Sequence, residues 1–169
     1  MRRALQPTLP LLLLAMLLAT STLMMVGCAP VRFISDYDSV LDDDVTNLQK
    51  DTETFLNQLD SEVGTAAAAY SKNTDFYIKA DAALRTMATR AASEPKSKII
   101  VEQIQTLQGT FDKLKKLHEM SADKGLSSAD ISDTRSALEV EFTSILTLEL
   151  ALKSRSAAQA MSVPAAKTK

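Results

Sequence analysis

From about residue 35 onward, apolar residues recur at steps of three and four, the spacing of one helix face. Runs of alternating β-branched residues, which would signal strands, are missing. The first such face runs through Leu41, Val45, Leu48, Thr52, Phe55, Leu59 and Val63, predicting a helix from Ser35 or Asp36 to about Ala69. Asp36, Asp38 and Asp42 to Asp44 crowd its first turns, where the helix dipole favours negative charge. Ser71-Lys72-Asn73 offers a turn and a cap. A second helix from Thr74 to about Ala92 then turns Phe76, Tyr77, Ala80, Leu84, Met87 and Ala91 inward. Ser93-Glu94-Pro95 breaks the chain and suits a new helix start, since proline is tolerated in a first turn. A third helix, Lys96 to about Ala122, carries Ile100, Ile104, Leu107, Phe111, Leu114 and Leu117 on its inner face. Gly125 fits a helix-ending position, and Ser127 or Ser128 a cap for a fourth helix. That helix spans Ala129 to about Arg155 through Ile131, Leu138, Phe142, Ile145, Leu148 and Leu152.

Between Val31 and Val163 the breakers are few, one proline and three glycines, leaving long stretches free to be helical. Four amphipathic helices joined by short turns predict an all-α, up-down-up-down antiparallel four-helix bundle over residues 36–155. Their unequal lengths leave a three-helix bundle with a long first helix as the alternative. Residues 156–169, built of Ala, Ser, Thr and Lys with one Pro, are expected to be a disordered tail.

Composition narrows the chemistry. The 169 residues include 19 Lys plus Arg, 21 Asp plus Glu, one His and one Cys, for a net charge of −2. One cysteine excludes an internal disulfide and a thiolate zinc cage. The charge gives no basic footprint for nucleic acid, so no nucleic-acid partner is expected. No catalytic or phosphate-binding motif occurs, and no enzyme activity is expected. Charge is uneven along the chain: Asp36 to Glu62 holds nine acids against one base, Lys50, whereas Lys72 to Lys124 is mildly basic. Asp36, Asp38 and Asp42 do not make a calcium loop, because Val40 and Leu41 stand where a ligand and a glycine are needed. His118 lies at the edge of the third helix's apolar face. It supports two readings: a boundary histidine near a helix C-terminus, or a haem ligand with a methionine such as Met87 opposite, an arrangement similar to periplasmic b-type cytochromes. The expectation is that the chain holds no metal and no cofactor.

The one cysteine closes a distinct leader. Arg2 and Arg3 precede an apolar run from Leu9 to Leu18, continued from Ala19 to Val26, and no acid appears before Asp36. A basic start and a compact apolar run read as a secretory signal over residues 1–27. Met25-Val26-Gly27-Cys28 at its end resembles the lipobox of bacterial lipoproteins. That resemblance implies peptidase recognition of Met25, Val26 and Gly27, cleavage after Gly27, and attachment to the lipid bilayer through acylated Cys28. Ala29 in place of Asp implies sorting to the outer membrane, with the domain facing the periplasm. Residues 28–35 would be a short tether spanning at most about 25 Å. A resemblance to small helical lipoproteins of proteobacteria implies a non-catalytic envelope protein with an envelope protein partner. A bundle binding a small ligand or haem is the alternative. Lys169 invites a further comparison with the major enteric outer-membrane lipoprotein, whose terminal lysine is joined to peptidoglycan.

Overall fold

The computed structural model describes residues 35–162. Among them are four α-helices and no strand: α1 (Ser39–Ser61), α2 (Thr74–Ser93), α3 (Lys98–Met120) and α4 (Ser128–Ser162). Four helices of 20 or more residues set aside the three-helix alternative. Each helix packs on its neighbour in the chain, and α1 also packs on α4.

Local chemistry fixes the boundaries. Asp38 caps α1 by accepting from the Val40 and Leu41 amides at 3.0 and 3.4 Å. The helix therefore begins three or four residues later than the acidic run alone suggests. It also ends early, at Ser61 rather than near Ala69. Gly64 takes φ +78°, outside helical space, and the Thr65 side chain caps a short 3-10 turn at Ala66–Ala68. Val63 consequently falls on the surface instead of continuing the buried face. A second 3-10 turn, Tyr70–Lys72, leads into α2.

Helix α3 starts at Lys98 rather than Lys96, because Lys96 has φ +65° and cannot enter the helix. After a 3-10 turn at Ala122–Lys124, Gly125 takes φ +66°. Ser127 and Asp130 then form a reciprocal cap. The Ser127 hydroxyl accepts from the Asp130 amide, and the Asp130 carboxylate accepts from the Ser127 amide, both at 3.2 Å. The fourth helix runs seven residues past Arg155, so residues 156–162 are helical where a disordered tail was expected. Ala-rich composition without Gly or Pro before Pro164 accounts for the continuation.

The core is a single cluster of Leu, Ile, Val, Phe, Met and Ala side chains from all four helices. Its aromatics gather toward one end. Phe55 stacks on Phe76 at 3.7 Å, and edge or tilted contacts continue to Tyr77, Tyr70, Phe111 and Phe142. Among the described residues no helix is long and apolar enough to cross a membrane.

Candidate functional site

Met25, Val26, Gly27 and Cys28 lie outside the described residues, as does Lys169. The described domain offers three places where polar chemistry meets the core.

The first is His118. It is fully buried, not at a boundary. Nε2 lies 2.7 Å from the Ala68 carbonyl oxygen, and Nδ1 lies 2.8 Å from the Tyr77 hydroxyl. A carbonyl only accepts, so Nε2 carries the proton; in the neutral ring that burial favours, Nδ1 accepts from the Tyr77 hydroxyl. Burial holds the imidazole pKa below its usual 6.5, in keeping with that state, and pushes the Tyr77 hydroxyl upward. Around this ring the two interhelical segments lock together. Asn73 donates to the carbonyls of Ala67 and Ala69 at 2.9 and 3.0 Å, and Gly125 packs directly on Ala68. Both ring nitrogens are therefore committed to the protein. Met87 sits ten residues beyond Tyr77, about 15 Å farther along α2, and so is not opposite His118. The pair is not arranged as axial ligands. Among the described residues there is also no cluster of three His, Cys, Asp or Glu side chains able to hold a metal ion.

The second place is Glu149. Its side chain points into the other end of the bundle, 1% exposed, with Oε2 lacking a hydrogen-bond partner. Burial, reinforced by the Asp42 and Asp38 carboxylates, pushes its pKa up to about 7 against a hydrogen bond from the Asp38 amide. Asp38 itself is held below its usual 3.8 chiefly by Arg90, which clasps it through two guanidinium nitrogens. Tyr37 donates to Asp42 at 2.8 Å, and Lys153 approaches the same carboxylate at 4.0 Å. Sequence reasoning passed over Glu149 because a charged residue does not register in an apolar pattern. Its spacing, four after Ile145 and three before Leu152, already placed it inward.

The third is a groove of ≈ 590 Å³ between α1 and α2. Buried Leu48, Phe55 and Ala80 and half-buried Phe76 form its floor. Asp44, Asn47, Asp51, Thr54 and Gln58 make the α1 wall; Lys79, Ala82, Ala83 and Thr86 make the α2 wall. Small residues on α2 hold the groove open, because alanine cannot bridge the gap that a Leu or Met would fill. Asp44, Asp51 and Lys79 line the groove without a direct ion pair among the described residues, and the Asp44 charge is felt by Arg90. The arrangement can bind. It holds no nucleophile paired with a base.

Comparison with protein-family models, curated proteins and solved structures gives no match to this chain.

Proposed function

We propose that this chain is a lipid-anchored envelope protein whose helical domain is a non-catalytic binding module. Signal peptidase recognition of Met25, Val26 and Gly27 would leave acylated Cys28 at the start of the mature chain, holding the domain at the outer membrane on the periplasmic side. In this reading seven residues separate Cys28 from Ser35, so the bundle works within about 25 Å of the lipid surface. Two or more acyl chains make such an anchor stable, each buried CH₂ contributing about 0.8 kcal/mol.

Within this reading the helices run alternately up and down. Pairs along the bundle support it: Asp38 at the start of α1 meets Arg90 near the end of α2, and Tyr77 early in α2 meets His118 late in α3. Gln103 meets Ser144 while Thr110 meets Glu141, and Arg135 meets Glu53 while Lys153 meets Asp42. In each pair of helices one sequence ascends as the other descends.

The observation that carries the binding role is the α1–α2 groove: an apolar floor left open between walls that carry charges of both signs. An envelope protein partner seats there. A small apolar ligand is the competing occupant, because ≈ 590 Å³ falls within the usual range of ligand pockets. Incorporating a photoreactive residue at Ala83, and separately at Ile99 on α3, tests the assignment in intact cells. Covalent capture of one envelope protein at position 83 and not at 99 is the expected result. Capture at 99 alone would reject the groove, and a co-purifying small molecule seen by native mass spectrometry would favour the ligand.

A further inference from the structure

Helix α4 has two faces, of which the bundle uses only one. It is 35 residues long, about 52 Å, whereas α1 and α3 have 23 residues each. Its inner face is the buried series through Leu138, Phe142, Ile145, Glu149 and Leu152. Its outer face follows a heptad pattern. From residue 140 onward, Val140, Thr143, Thr147, Leu150, Ser154, Ala157 and Met161 occupy its a and d positions; all are exposed and none is charged, whereas the preceding a position is Asp133. The outer face of a bundle helix is ordinarily its charged side. Here it carries the two most exposed large apolar side chains of the described residues, Met161 at 82% and Val140 at 71%, with Leu150 at 64% between them. The flanking e positions are all Ala or Ser, and of the g positions only Glu139 and Lys153 are charged.

The geometry points to this stripe as a seam through which two copies of the chain pair, α4 beside α4 and in parallel. The occupant follows from where the anchor lies, and to that extent the inference rests on the lipoprotein reading. Arg155 bonds the carbonyl of Ser35, so the C-terminal half of α4 is at the tether end of the domain. Every copy anchored in this way presents the same stripe with its C-terminal half on the tether side, and so in the same direction. Identical stripes meet a to a and d to d. In that register each g position faces an e position of the other copy, so Glu139 and Lys153 each meet Ser or Ala and no like charges oppose. Small residues at most of the contact positions allow close approach. The seam from Val140 to Met161 is about 32 Å long and covers on the order of 350 Å² per chain. That is under half of the roughly 800 Å² per partner of a standard interface, so confinement in one membrane plane supplies the remaining association.

Disulfide trapping in membranes carrying the full-length protein tests this. Once acylated, Cys28 has no thiol, and it is the only cysteine in the chain. Val140→Cys, Leu150→Cys and Met161→Cys, oxidised with copper phenanthroline, should each give a same-position covalent dimer. Ile78→Cys on α2, comparably exposed at 66%, should give at least fivefold less. Adding Leu150→Glu, a change on the surface, should lower trapping through position 140 at least fivefold. Trapping at seam positions no greater than at position 78 would overturn the proposal, as would dimers between position 140 of one copy and 161 of another as the main product in membranes that carry both variants together. A covalent dimer of the parent chain would reveal a free Cys28 thiol and refute the anchor instead. Where the parent chain gives no covalent dimer, the position pattern alone decides the seam.

Discussion

Replacing Glu149 with Gln should stabilise the protein at neutral pH and leave it nearly unchanged in mild acid. The side chain is 1% exposed and Oε2 has no partner, so ionisation puts an incompletely satisfied charge inside the bundle. Its pKa rises from 4.5 to about 7 on folding. The sign follows from proton binding: between these values the folded state holds a proton that the unfolded state has released. Stability from this group is therefore fully present below about pH 4.5, falls as pH rises, and is gone above about pH 7. A shift of that size corresponds to about 3 kcal/mol at most, near 1.4 kcal/mol for each pH unit. His118 acts oppositely. Its folded pKa is depressed by burial, so its contribution is present above 6.5 and declines as pH falls. The two slopes partly cancel in the parent protein but not in the difference between parent and variant. Urea unfolding of both at pH 5 and pH 8 isolates Glu149. The expected gain for Gln is on the order of 3 kcal/mol at pH 8 and under about 1 kcal/mol at pH 5. A variant less stable at pH 8, or a difference independent of pH, would refute the reasoning.

Three further outcomes follow from the segments closing the aromatic end of the bundle. Gly125→Ala places a Cβ 2.4 Å from the Ala68 carbonyl oxygen at φ +66° and should cost on the order of 3 kcal/mol in urea unfolding; a loss under about 1 kcal/mol would mean that the two segments do not pack as described. Tyr77→Phe removes the donor to His118 Nδ1 and should cost about 1–3 kcal/mol by the same assay; no loss would place that nitrogen in contact with water. Nitrogen-15 NMR should find the His118 proton on Nε2, and a proton on Nδ1 would contradict the hydrogen-bond assignment.

Much of this fold is readable from spacing alone, and the misses share a cause. The inner faces of α1 to α4 follow steps of three and four almost residue for residue, from Leu41 to Leu59 and from Ile131 to Leu152. The pattern overran where backbone and tertiary contacts overrule it. Ala66 to Ala69 have high helix propensity, yet Gly64 breaks the helix and the Ala68 carbonyl is claimed by His118 from 50 residues away. The burial of His118 is invisible locally for the same reason: the segments that cover it are distant in sequence. Glu149 was legible in position but discounted for its charge. The groove was not legible at all, because it arises from Ala82 and Ala83 being too small to fill a space that periodicity assigns equally to any side chain.

The proposed anchor decides where the domain works and how copies meet. Intact-mass measurement of the membrane-extracted protein, beside a Cys28→Ser variant fractionated in parallel, tests it most directly. The expected parent chain begins at Cys28, carries acyl mass and is found with membranes, and the Cys28→Ser protein is free of acyl mass and released from them. A parent chain without acyl groups, or equal membrane retention of both proteins, would contradict it.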